Sequence, residues 1–178
     1  HRDLKPANIM VTPEGEATVL YFGLARSDEG RSSTAAGDAQ TLSSPVLPAD
    51  RGNSPTIEGA LLGTAAYMSP EQARGRRVDK RTDIWSFGVV LHEMLTGASP
   101  FAGETASDSI GAVLHKSFDL DRLPTETPPH VRRVLERCLQ RDKSQRYRDI
   151  GDARLDLLSP LPDASTPETH RRSITPLV

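Results

Sequence analysis

The sequence predicts a mainly α-helical chain with one short β-hairpin, an α+β fold whose core is carried by helices. Three observations lead there. Two short apolar runs, Ile9-Met10-Val11 and Ala17-Thr18-Val19-Leu20, flank Thr12-Pro13-Glu14-Gly15, where Pro and Gly stand at usable turn positions. From Val78 to Thr96 apolar residues recur at helical spacing, and three weaker stretches follow with the same period. The 178 residues are 36% hydrophobic, 4% aromatic and 26% charged, enough for one domain with a sizeable core diluted by polar loops.

The elements follow in order. After the hairpin, Ser27 to about Gly59 turns to Ser, Thr, Ala, Gly, Asp and Pro, and too little apolar surface remains to offset the entropy of ordering it. A disordered insert is expected over 27–59. Ser69, Pro70 and Gln72 then make a helix start, with a hydroxyl cap, Pro at the first position and Gln three residues after the cap. In the principal helix Ile84, Phe87, Leu91 and Leu95 fall on one face, while Trp85, Val89 and Met94 widen the apolar surface. That helix is expected to be buried and to stop at Thr96-Gly97, with Trp85 as core. Amphipathic segments are expected over 105–116, 129–140 (arginines outward) and 149–158. Residues 159–178 return to Pro, Ser and Thr, a disordered linker or tail.

Composition limits function. The formal net charge of −2 gives no basic surface for nucleic acid. A lone Cys138 excludes an internal disulfide framework and fits a reducing compartment. No apolar run approaches the roughly 18 residues of a membrane span, so a cytoplasmic location is expected, although an intact parent could be membrane-anchored. His92, His115 and His130 share no ligand spacing with Cys or carboxylates and are expected to be surface or core residues.

Chemistry concentrates at the start. His1-Arg2-Asp3-Leu4-Lys5-Pro6-Ala7-Asn8 resembles the catalytic loop of protein kinases, and Lys5 two residues past Asp3 resembles the serine/threonine branch. Gly63-Thr64-Ala65-Ala66-Tyr67-Met68-Ser69-Pro70-Glu71 resembles that family's substrate-binding segment and A-P-E motif, with Ser69 in place of Ala. The string Asp83-Ile84-Trp85-Ser86-Phe87-Gly88 resembles the central helix of the kinase C-terminal lobe, and the longer strings resemble the bacterial type of serine/threonine kinase.

This resemblance covers residues 1–158 and implies the C-terminal lobe of a kinase fold. It implies a kinase using ATP and Mg²⁺ to phosphorylate Ser or Thr hydroxyls of protein substrates. Asp3 would accept the hydroxyl proton, Lys5 would set a positive charge beside the moving phosphoryl group, and Asn8 would offer magnesium a hard oxygen. Thr64 would hydrogen-bond Asp3 and Lys5, Glu71 would be buried against Arg146, and Asp83 would tie its carboxylate to the backbone near His1 and Arg2. A phosphate on Thr56 (or Ser54) could pair with Arg2.

One residue departs from the pattern. Where kinases carry D-F-G this chain has Tyr21-Phe22-Gly23, so the metal-chelating carboxylate is replaced by a phenol that is neutral at pH 7. No G-x-G-x-x-G-x-V string occurs, and the chain opens inside a motif, so a piece of a longer product without its nucleotide-clamping lobe is expected. Such a piece is expected to be inactive alone, with its Trp85 helix exposing an apolar patch that drives association. A pseudokinase scaffold and a non-functional gene fragment stand as alternatives, as does an error at Tyr21.

Overall fold

The computed structural model describes residues 1–20 and 63–158. The expected insert over 27–59, the tail over 159–178, Tyr21, Ser54 and Thr56 lie outside the described residues.

A short 3-10 turn, Pro6–Asn8, leads into strand β1 (Ile9–Val11), which pairs antiparallel with β2 (Ala17–Val19) in the register Ile9 to Val19, Met10 to Thr18 and Val11 to Ala17. Gly15 sits at φ 88°, a conformation a side chain resists, and its N–H closes the turn on the Thr12 carbonyl at 2.9 Å. The turn chemistry therefore fixes the register.

Among the described residues the rest is carried by helices α1 (Pro70–Ala73), α2 (Arg81–Thr96), α3 (Ala106–His115), α4 (Pro129–Cys138) and α5 (Ile150–Leu158). Two of them begin on reciprocal capping boxes, Ser69 with Gln72 and Thr105 with Asp108, which satisfy amides that have no partner within the helix. Helix α2 ends as expected, on Gly97 in the left-handed region at φ 77°.

The core has two adjoining clusters, and α2 contributes to both. Ile84 packs with Val134, Cys138, Tyr147 and Ala153 of the α4–α5 side. Trp85 and Val89 pack with Phe101, Val113 and Leu139 on the α3 side, the Trp85 and Phe101 rings stacking with centroids 5.2 Å apart. The two helices α2 and α4 meet at Gly88, where an added Cβ would lie 2.8 Å from Cys138 Cβ and 3.0 Å from Leu139 Cδ2. A side chain at that crossing is excluded by contact.

Two expectations need correction. Helix α2 is not buried all round: Ile84, Trp85, Gly88, Val89 and Val90 are buried, Phe87, Leu91 and Leu95 are half-covered, and Met94 is 78% exposed. The reason is that Phe87 and Leu91 lie at the edge of the Ile84 cluster, where α4 and α5 cover them only in part, while Trp85 and Val89 are enclosed by Phe101, Val113 and Leu139 on the other side. The arginines of α4 do not all point outward either. Arg132 folds back to donate to the carbonyls of Thr127, Leu120 and Pro124 at 3.1, 3.1 and 2.6 Å, bracing the preceding loop. Arg137 lies over the Tyr147 ring, 4.2 Å from its centroid. Among the described residues no helix is long and apolar enough to cross a membrane.

Candidate active site

The opening loop is held from below by α2. Asp83, in the first turn of that helix, accepts the backbone nitrogen of His1 through Oδ2 at 3.0 Å and that of Arg2 through Oδ1 at 2.7 Å, as the sequence led us to expect. The His1 ring joins the hairpin to the loop: Nε2 lies 2.8 Å from the Leu20 carbonyl, while Nδ1 accepts the Asp3 amide at 3.2 Å. These two contacts select the neutral tautomer with the proton on Nε2. Between them Arg2 takes φ 69°, the one positive φ outside glycine among the described residues. A non-glycine residue there is strained by about 1–2 kcal/mol, so the surrounding bonds must hold it.

This strained turn presents Asp3. Its Oδ2 accepts Lys5 Nζ at 3.1 Å and Asn8 Nδ2 at 3.0 Å. Asn8 Nδ2 also donates to the Asp3 carbonyl at 2.7 Å, which uses both amide hydrogens and turns Oδ1 of Asn8 the other way. Neither Oδ1 of Asp3 nor Oδ1 of Asn8 has a hydrogen-bond partner among the described residues. Lys5 Nζ also donates to Thr64 Oγ1 at 2.7 Å, leaving one of its three N–H groups uncommitted. Lys5 thus joins Thr64 to Asp3, and the direct bond expected between Thr64 and Asp3 is absent. A lysine reaching both oxygens fills the space that such a bond would occupy.

The segment bearing Thr64 is anchored to α1 and α2. Tyr67 donates its hydroxyl to Glu93 Oε2 at 2.6 Å, and burial followed by the Glu93 carboxylate pushes the phenol well above its ordinary range. Ser86 donates to the Tyr67 carbonyl at 2.9 Å. Glu71 meets Arg146 as expected, in a bidentate pair with both N···O distances 2.8 Å. Thr82 adds a third donor to Glu71 at 2.9 Å, and Arg146 spends its remaining hydrogens on the carbonyls of Gln140, Arg81 and Arg141. Burial by itself raises the Glu71 carboxyl, but the bonds and charge of Arg146 outweigh it and hold the group below its ordinary value.

Sequence reasoning missed three contributors here: Thr82, the Tyr67–Glu93 bond, and Gln72, whose Nε2 donates to the Arg2 carbonyl at 2.8 Å. Gln72 is legible in the sequence only as a capping residue, since nothing in the local pattern says what its second polar atom reaches. The Arg2 guanidinium has no hydrogen bond or ion pair among the described residues, and its expected partner Thr56 lies outside them.

For magnesium, which takes about six hard oxygen ligands, the Oδ1 atom of Asn8 is of the right chemistry and has no hydrogen-bond partner among the described residues. Among the described residues no group of three or more His, Cys, Asp or Glu side chains could hold a metal ion. Tyr21, where the family resemblance implies a carboxylate, lies outside the described residues. Cys138 is buried against α2, and burial pushes its thiol up to about 12, which makes it packing and not a nucleophile.

Comparison with known proteins bears on this arrangement. Residues 1–149 match the protein kinase domain family. The chain is 37% identical over 163 residues to the serine/threonine-protein kinase PknB of Mycolicibacterium smegmatis, covering 89% of this chain and 22% of that protein. It is 36% identical to PknB of Mycobacterium tuberculosis with the same coverage. Against PknA of Mycobacterium tuberculosis it is 34% identical over 151 residues, 85% of this chain and 30% of that one. The chain therefore spans between a fifth and a third of the length of these curated relatives.

Proposed function

The chain belongs to the protein kinase domain family, in its serine/threonine branch, and from that premise we propose that it carries the acceptor side of a phosphotransfer site in a longer protein. The observation that supports this most is Asp3. One carboxylate oxygen is fixed by Lys5 and Asn8, and the other is free. A Ser or Thr hydroxyl of a protein substrate donates to that free Oδ1. As its oxygen bonds to the terminal phosphorus of ATP and the bridging P–O bond breaks, the proton passes to Asp3 and the electron pair leaves with ADP. Lys5, anchored on Thr64, brings positive charge toward the transferring group, and pre-positioned charge of this kind costs no reorganisation during the step. Asn8 Oδ1 would hold magnesium, which when bound would supply charge neutralisation of the nucleotide phosphates.

Tyr21 sets the limit of this reading. Loss of a positioned charged group lowers such a rate by about 10²–10⁴-fold, so on this reading the intact protein transfers phosphate poorly with Tyr21. The test is transfer from ATP to a Ser/Thr peptide by the intact protein, as it stands and as Tyr21→Asp. A large gain in the Tyr21→Asp form supports the reading. Equal rates overturn the metal-site account, and inactivity of both forms favours a binding scaffold. We propose also that phosphate on Thr56 pairs with Arg2, whose guanidinium is uncommitted among the described residues. Mass spectrometry of active protein lacking phosphate at Thr56 and Ser54 would remove that idea.

A further inference from the structure

Gln72 has two polar atoms and uses them in two different parts of the molecule. Its Oε1 accepts the Ser69 amide at 3.0 Å, which is half of the α1 capping box. Its Nε2 crosses to the opening loop and donates to the Arg2 carbonyl at 2.8 Å. That carbonyl belongs to the residue at φ 69°, and the following residue is Asp3. The Arg2 amide is held by Asp83 of α2 at 2.7 Å. The two bonds therefore grip the strained residue on both of its peptide groups, from two different helices. A backbone conformation that is unfavourable by itself persists only when its neighbours over-determine it. Removing one of two grips frees the loop to relax and swings the Asp3 carboxylate with it.

We infer that Gln72 is a positioning residue for Asp3, linking the segment that carries Thr64 to the loop that carries the proposed base. Capping needs only the acceptor oxygen, so the Nε2 donor serves the second purpose. The inference rests on the proposed kinase reading for its kinetic consequence, but not for its structural one.

Gln72→Glu separates the two roles: a carboxylate still accepts from Ser69 but cannot donate to a carbonyl. Amide hydrogen exchange in the full chain reads the structural consequence directly. The Arg2 and Asp3 amides are expected to exchange about five- to tenfold faster, the size of one lost hydrogen bond. The Ser69 and Ala73 amides, which report the cap and the first turn of α1, keep their rates. Unchanged Arg2 and Asp3, or equal loosening of Ser69, overturns the inference. Gln72→Met, which removes both bonds, must loosen both sets, and loosening of the cap alone also overturns it. In the intact protein carrying Tyr21→Asp, Gln72→Glu is expected to lower kcat about tenfold with peptide KM held. A rise in KM with kcat unchanged would mean that Gln72 shapes the peptide platform only. If that protein transfers no phosphate with Gln72 in place, the kinase reading fails while the exchange result still decides the role of Gln72.

Discussion

Two carboxylate–cation pairs, Glu71 with Arg146 and Asp3 with Lys5, are built to opposite specifications. Glu71 and Arg146 are closed off, their side chains 7% and 0% exposed, and every acceptor and donor is matched by Thr82 or by backbone carbonyls. Asp3 and Lys5 are 23% and 20% exposed, and each keeps polar capacity unspent. A buried pair without a complete set of partners would leave a desolvated charge, which is costly, so the first arrangement has no freedom left for a ligand. A pair at the surface can keep a vacancy because water fills it when substrate does not. The same residue types thus read as architecture where they are saturated and as candidate chemistry where they are not.

Substitutions at the two pairs separate these meanings. The largest effect on folding is expected for Glu71→Ala. It strands Arg146 inside the protein and should cost about 3–5 kcal/mol, measured by denaturant unfolding of the full chain. Asp3→Asn keeps the shape of the loop but removes the proton acceptor. In the intact protein carrying Tyr21→Asp it should lower phosphotransfer by about 10²–10⁴-fold while leaving the unfolding midpoint nearly unmoved. If Asp3→Asn destabilises as much as Glu71→Ala, the contrast between the pairs collapses.

Smaller effects sharpen the picture. Gly88→Ala forces a methyl into Cys138 and Leu139 at the α2–α4 crossing and should cost about 1–3 kcal/mol by overpacking. Acid should act in two stages. His92 is buried, its Nδ1 is 3.1 Å from the Ala98 carbonyl, its Nε2 has no partner, and burial holds its pKa below the ordinary 6.5. The folded state thus prefers neutral His92, so its contribution is complete above pH 6.5 and is lost as pH falls below that value toward the lowered folded one. Glu71 is also held below its ordinary value of 4.5, so its contribution survives to that pH and is lost only below it. Unfolding followed against pH should show the upper stage disappear in His92→Gln and the lower one in Glu71→Gln. A single acid transition unchanged by either substitution would contradict both assignments.

Much of this is legible in the order of the residues. The hairpin follows from two β-prone runs around a Pro-Gly turn, and α1 from Ser69-Pro70-Glu71-Gln72, because turns and caps are decided by neighbours in sequence. Asp3, Asn8, Glu71, Asp83 and Arg146 stand out through motif strings, and the structure brings each to a named partner. What escapes are the contacts of long side chains with distant carbonyls: Gln72 with Arg2, Arg132 with the loop before α4, and Lys5 taking the place expected for a direct Thr64–Asp3 bond. The partial exposure of α2 escapes too, since periodicity says which residues share a face and not whether a neighbour covers it.

Sequence by itself determined the class of fold, the family, and the chemical identity of each candidate group, including the phenol at Tyr21, because covalent identity and short-range backbone preference are local properties. Tertiary structure alone decided which carboxylate is sealed and which keeps an open oxygen, and that Arg2 is held in strain from both sides. Those outcomes depend on residues more than 60 positions apart in the chain, whose meeting is set by packing across the whole domain and by no local pattern.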